Sequence, residues 1–179
     1  FGDQDEPRAF VTYRNVETIE FALYSMSLAD FMGYYGDDWR FREEYTPSPA
    51  DLLREWTVKT DAPRNQSGSL SEPLVEGGGT LPPGLYFLTA STPETRRLYS
   101  QDQQRQVVIV AANNVTFKWA GEQGMAWVTD WDEGTPVPGV TVSFLDAAGR
   151  VTASGVSGSD GVVMGDLAAQ EPWMTHSVV

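Results

Sequence analysis

Cysteine is absent from the 179 residues, which removes disulfides, thiolate metal sites and cysteine nucleophiles, and is compatible with any redox compartment. Histidine occurs once, at His176, so no zinc site built on several imidazoles is available and a Ser-His-acid triad has a single candidate base. No G-x-S-x-G elbow accompanies it. Basic residues are scarce: 12 Lys+Arg stand against 25 Asp+Glu, a formal net charge of −13. A chain of that sign does not suit phosphate neutralisation, which argues against nucleic acid and against anionic membrane surfaces. The imbalance is spread along the chain, with no polyacidic tail. No run of about 18 apolar residues is present, so no membrane-spanning helix is expected. No glycine-rich phosphate loop opens a helix, which removes the usual nucleotide sites.

What is abundant is β-forming sequence cut by turns. From Met125 to Asp166 the residues Trp127, Val128, Val140, Val142, Phe144, Val151, Val156, Val162 and Val163 fall into four short runs separated by Gly, Pro and Asp clusters. In Val140-Thr141-Val142-Ser143-Phe144 the apolar side chains take every second position, which predicts one buried and one wet face. The stretch Asp132–Gly139 carries two prolines and two glycines and reads as a connector. Ala147-Ala148-Gly149 and Ser157–Gly161 read as turns, and Ala120-Gly121-Glu122-Gln123 as a hairpin turn between Trp119 and Met125.

Upstream, Phe10 to Met26 predicts two strands broken at Asn15, with Ile19, Phe21 and Leu23 on one face. Ser27-Leu28-Ala29-Asp30 and Ser48-Pro49-Ala50-Asp51 are helix-start signals, predicting short helices over Leu28 to Tyr35 and Pro49 to Trp56. In the second, Leu52, Leu53 and Trp56 supply an apolar stripe. Val58 continues as a strand. Asp61 to Ser71, DAPRNQSGSLS, offers nothing to bury and predicts a mobile polar loop. After Gly77-Gly78-Gly79 and the turn at Pro82-Pro83-Gly84, Leu85 to Ala90 predicts a central strand, and Val107 to Val110 closes the first domain. Ala111 to Asn114 reads as a linker, and Val115 to Trp119 and Trp173 to Val179 add strands to a second domain.

Several of these segments, in this order, resemble one known family. Val128-Thr129-Asp130, then Gly134-Thr135-Pro136-Val137-Pro138-Gly139-Val140-Thr141-Val142, the Asp146…Gly149 turn and Ser159-Asp160-Gly161-Val162 are similar to the repeated macroglobulin-type sandwich domain of bacterial alpha-2-macroglobulins. Leu81 to Leu88 is similar to that family's Pro-Gly-x-Tyr strand, and Tyr13-Arg14-Asn15-Val16 followed by Leu23-Tyr24 to the opening of the preceding domain. Together these segments cover about two thirds of the chain. The resemblance implies an all-β protein of two tandem antiparallel β-sandwich domains of immunoglobulin or fibronectin III-like type. The first, 1–112, would carry short helical insertions; the second, 113–179, would show six of seven strands and lack its last. It further implies a non-catalytic scaffold fragment of a broad-spectrum protease trap, with neighbouring domains of the parent chain as partners and target proteases met through the full-length protein. The location implied is periplasmic or extracellular, with any membrane anchor on the parent chain. The start at Phe1-Gly2-Asp3 agrees with excision from a longer protein. The sequons at Asn65 and Asn114 are expected to go unused, since such triplets recur by chance.

The family's thioester forms in a Cys-Gly-Glu-Gln context, and here Ala120 stands at the cysteine position, so that chemistry does not transfer. The remaining candidates are few. Asp37, Asp38, Glu43 and Glu44 with Tyr34, Tyr35, Trp39 and Phe41 have the residue types of a sugar site. Asp130, Asp132 and Glu133 offer oxygen ligands without the spacing of an EF-hand loop. None is adopted: no catalytic, cofactor-binding or metal-binding residue is assigned, no cofactor is expected, and the chain is read as a non-enzyme. The competing reading is a cell-surface adhesion or carbohydrate-binding β-sandwich module.

Overall fold

The computed structural model describes residues 1–33, 44–93, 104–146, 149–167 and 177–178. It is mostly β. Every named strand pairing is antiparallel, and one short α-helix, α1 (Leu28–Gly33), is present among the described residues. The Ser-Leu-Ala-Asp signal does start a helix; its predicted continuation over Tyr34 and Tyr35 lies outside them.

Among the described residues, Phe1, 3–28, 44–93 and 104–110 form one compact unit, and Gly2, 29–33 and everything from Ala111 onward form another. In the first unit β1 (Arg8–Arg14) and β2 (Thr18–Met26) flank Asn15, which takes a left-handed conformation at φ 55°. β2 lies inside a four-stranded sheet, between β3 (Leu52–Lys59) and β5 (Gly84–Ser91), with β6 (Gln104–Val110) beyond β5. β1 pairs with β4 (Ser67–Pro73) as a separate two-stranded sheet. The core forms where the two sheets face: Ala9 and Tyr13 from β1 meet Phe21, Leu23, Leu88 and Val108 from the larger sheet, with Leu74 among them. Period-two burial follows from this arrangement, because successive side chains of a strand leave on opposite faces.

Two expectations are corrected here. The helix predicted over Pro49 to Trp56 is only a 3-10 turn, Pro49–Asp51. Its cap is as read: the Ser48 hydroxyl accepts from the Ala50 N–H at 3.2 Å. From Leu52 the chain is strand, paired with β2 from Tyr24↔Leu52 to Thr18↔Lys59. A cap stabilises one turn, whereas this ladder satisfies an eight-residue edge of backbone groups on both strands. The supposed helical stripe is not buried, since Leu52 and Leu53 are 41% and 53% exposed while Trp56, on the opposite phase, stacks on Phe21 at 5.1 Å.

The mobile loop predicted for Asp61 to Ser71 is also wrong over its second half. Ser67 to Ser71 belong to β4, in register with β1 from Arg14↔Ser67 to Phe10↔Ser71 and on to Arg8↔Pro73. Ser-Gly-Ser-Leu-Ser has no β propensity of its own. The strand exists because β1 needs a partner for its backbone groups and because Leu70 packs on the core. The remaining connector is tied down as well: the Tyr13 hydroxyl donates to Asp61 Oδ1 at 2.8 Å, and Asn15 Nδ2 donates to Asn65 Oδ1 at 3.1 Å.

The second unit pairs β7 (Asn113–Ala120), β8 (Gln123–Asp130) and β11 (Val162–Asp166) in the order β11-β8-β7. β9 (Thr141–Leu145), β10 (Val151–Val156) and β12 (Ser177–Val178) form a second sheet, β10-β9-β12. The two bury Ala126, Val128, Val142, Phe144 and Val163 between them, with Leu167. The four strands read between Met125 and Asp166 are all present, and Thr141 is wet while Val142 and Phe144 are buried. The four-residue linker is shorter than expected. Asn113 and Asn114 are already in β7, paired with Asp130 and Thr129, which leaves Ala111-Ala112 between β6 and β7.

The connector 134–140 carries no strand, as its prolines dictate, yet it is anchored. The Val137 N–H donates to the Val128 carbonyl at 3.0 Å, and the Asp130 N–H to the Thr135 carbonyl at 2.8 Å. Buried Ser157 holds the other end: its hydroxyl donates to the Val137 carbonyl at 2.7 Å and accepts from the Val140 N–H at 2.9 Å.

Candidate functional site

The acidic loop that offered calcium ligands spends its first carboxylate on its own backbone. Asp130 Oδ1 accepts from the Asp132 and Glu133 N–H groups at 2.9 and 2.8 Å, which shapes a turn. Among the described residues no group of three or more His, Asp or Glu side chains converges as a metal site would require. Ala120 and Gln123 are paired across a tight hairpin whose tip is Gly121-Glu122, and the Glu122 carbonyl accepts from the Leu167 N–H. The Ala-Gly-Glu-Gln string therefore serves as a turn. His176 lies outside the described residues, as do Tyr34, Tyr35, Asp37, Asp38, Trp39, Phe41 and Glu43; Glu44 is described and exposed.

Among the described residues the first unit has a concavity on either face of the four-stranded sheet. The smaller, about 180 Å³, is a polar recess around Tyr45, Thr89 and Arg105. One guanidinium nitrogen of Arg105 donates to the Tyr45 carbonyl at 3.0 Å, and the Tyr45 ring meets Phe87 edge-on at 4.8 Å. Glu55 lines the same recess, so its charge is balanced and it offers no strong field for an anion.

The larger is a groove of about 750 Å³ on the core side, between β1 and β6. Its floor includes Phe21, Leu88 and Ala90. The two-stranded β1-β4 sheet is narrower than the four-stranded sheet it faces, so among the described residues no strand covers the β6 side. The walls are made of consecutive residues, 8–12 on one side and 104–109 on the other. A wall of alternate residues would be a side-chain surface; a wall of consecutive ones is the backbone edge of a strand. Nothing in the sequence pointed to this groove. Periodicity shows which residues are in strands, while which strands end as edges depends on pairing between distant segments.

Architecture and core together define units of facing antiparallel β-sheets, and solved structures of like fold are known. The chain is similar to native alpha-2-macroglobulin from Escherichia coli spanning domains NIE-MG1, with TM-score 0.68 and 14% identity over 94% of this chain and 86% of that one. It is similar to the same protein spanning MG0-NIE-MG1, with TM-score 0.66 and 17% identity over 98% of this chain. A third likeness is to Salmonella alpha-2-macroglobulin reacted with methylamine, with TM-score 0.64 and 16% identity over 94% of this chain. Over most of its length, then, the chain has the fold of the N-terminal domains of bacterial alpha-2-macroglobulins. It spans 59% of the MG0-NIE-MG1 chain and 10% of the Salmonella one, and so corresponds to domains within larger proteins that have further domains beside them. No protein-family model and no curated protein sequence matches it.

Proposed function

We propose that this chain is a non-catalytic scaffold from the N-terminal part of an alpha-2-macroglobulin-like protease trap, built as two sandwiches over 1–112 and 113–179. The observation that carries this reading is the likeness to the NIE-MG1 stretch of the Escherichia coli protein over 94% of the chain. What the chain contributes on this reading is geometry: rigid sandwiches that hold neighbouring domains of the parent in place, with target proteases met only by the whole assembly. Periplasmic or extracellular residence follows on the same reading, with any anchor elsewhere in the parent. Among the described residues no helix is long and apolar enough to cross a membrane.

The test is to incubate the 179-residue chain and its full-length parent separately with an endopeptidase, then assay protein-sized and dipeptide-sized substrates side by side. Physical trapping predicts that the parent shields large substrates while small ones are still cleaved, and that the fragment alone does neither. Inhibition of small-substrate turnover by the fragment would make it an active-site inhibitor and end the scaffold reading. A parent that protects no large substrate would favour the adhesion or carbohydrate-binding reading instead.

A further inference from the structure

We propose that Met164 is an oxidation site: its thioether takes an oxygen atom from hydrogen peroxide ahead of Met125, Met26 and Met32, and the fold survives the change. This goes beyond the scaffold reading and does not depend on it.

Position comes first. Successive side chains of β11 leave on opposite faces, so Val163 and Gly165 are buried while Met164 between them is 58% exposed. β8 follows the same alternation: Gly124, Ala126 and Val128 are buried, and half-buried Met125 stands directly opposite Met164 in the ladder. Val162 and Trp127 form a neighbouring pair on that outer face, and Lys118 lies on the far side of Met125. Two thioethers are thus neighbours on the face turned away from the core of Ala126, Val128 and Val163. The contrast lies within the chain. Met26 and Met32 are only 8% and 9% exposed, and the fifth methionine, Met174, lies outside the described residues.

A thioether has no proton to lose, so its reactivity is governed by access of the oxidant to sulfur. A sulfur lone pair attacks one peroxide oxygen and the O–O bond breaks. The sulfur is oxidised by two electrons to the sulfoxide; the second oxygen is reduced, takes the proton from the first, and leaves as water. With cysteine absent, no thiolate in this chain consumes the peroxide first. Hydrogen peroxide is uncharged at neutral pH, so a net charge of −13 does not hold it off the surface. The product decides the structural outcome. A sulfoxide is polar, and inside a packed core it would disrupt its surroundings. At Met164 the new oxygen faces water, whereas at Met26 or Met32 it would be buried. The accessible thioether is therefore also the expendable one, and peroxide is consumed at the surface before it reaches a methionine that the packing needs.

The test exposes the 179-residue chain to hydrogen peroxide at pH 7 and maps oxygen uptake by peptide mass spectrometry over a time course. Met164 should react about tenfold or more faster than Met26 or Met32, with Met125 between them, and the four rates should converge in denaturant. The melting midpoint should move by less than about 2 °C when Met164 alone has reacted. Met164→Leu should delete the fast phase and leave the rates at Met26 and Met32 unchanged. Met26 or Met32 reacting as fast as Met164, or an order that persists in denaturant, would overturn the proposal, because burial would then not set the order. A midpoint that falls in step with Met164 oxidation would overturn it as well. Should Met164→Leu unfold, the wild-type time course decides the matter. The last arm repeats the mapping on the full-length parent. Fast uptake at Met164 there supports an oxidation site of the native protein, and protection there overturns it by showing that another domain covers this face.

Discussion

The Tyr86 hydroxyl donates to the Pro82 carbonyl at 2.6 Å, four residues upstream, while the ring above it is buried in the core of the first unit. This pair gives Pro82-Pro83-Gly84-Leu85-Tyr86 its physical meaning. The prolines fix the approach and the tyrosine clamps the turn to the start of β5, much as a tyrosine corner pins a sandwich loop. The central strand of the sheet is thereby indexed to its own entry turn.

Burial of Tyr86 raises its pKa above the ordinary value of 10.0. The folded state holds the phenolic proton to a higher pH than the unfolded chain does, so the associated stability is fully present below about pH 10 and is lost as pH rises through the raised folded value. Tyr86→Phe should cost about 1 kcal/mol at neutral pH, the net worth of one hydrogen bond. Denaturant unfolding at pH 7 and again above pH 10 should show the wild-type advantage over this variant shrinking at the higher pH. An advantage that grows with pH would contradict the assignment.

Gly68 should reject a side chain because of Tyr13. A Cβ at Gly68 would lie 2.5 Å from the Tyr13 ring carbon that bears the hydroxyl and 2.9 Å from Ala62 Cβ. The ring cannot yield without disturbing its hydrogen bond to Asp61. Gly68→Ala should destabilise the first unit by about 1–3 kcal/mol, the usual range for overpacking. In a Tyr13→Ala background the same change should cost much less, and a double-mutant cycle on unfolding free energies reads the coupling directly.

These contacts mark how far the sequence could be read. Val140 to Phe144 and Leu85 to Ala90 were legible because each carries its instruction locally, in alternation or in a bounded apolar run. Residues 49–56 misled because a genuine serine cap precedes them, and the competing instruction, the open edge of β2, lies 28 to 35 residues upstream, from Tyr24↔Leu52 to Phe21↔Trp56. Ser67 to Ser71 were silent for the same reason: their strand is imposed by β1 and by the space beneath Tyr13. The groove between β1 and β6 was least legible of all, since it exists only once the widths of two facing sheets are known.

Ser157 should matter more than an ordinary turn serine. Its buried hydroxyl satisfies the Val140 N–H and the Val137 carbonyl together. Ser157→Ala leaves both without that partner, and should cost the second unit about 1–3 kcal/mol. The specific sign is faster amide exchange at Val140, with the ladder between β9 and β10 unchanged. Equal acceleration through that ladder would mean global destabilisation, and the local role assigned to the hydroxyl would be wrong.

Gly161 and Gly121 form a matched pair that separates strain from collision. Both have positive φ, 75° and 60°. At Gly121 a Cβ would meet nothing within 4 Å, whereas at Gly161 it would come to 2.4 Å from the Val128 carbonyl oxygen and 3.2 Å from Pro136 Cβ. Gly121→Ala should therefore cost only the left-handed backbone penalty, about 1–2 kcal/mol. Gly161→Ala adds a clash with backbone that is not free to move. That carbonyl accepts from the Val137 N–H at 3.0 Å, and the Val128 N–H in turn donates to the Gly161 carbonyl at 2.9 Å. Shifting it would loosen the anchor of the 134–140 connector together with the start of β11, so the loss should exceed about 3 kcal/mol. Thermal unfolding of the two variants side by side gives the comparison. If both lose the same stability, backbone conformation alone explains the Ser159-Asp160-Gly161 turn, and the close approach of β8 plays no part in requiring glycine there.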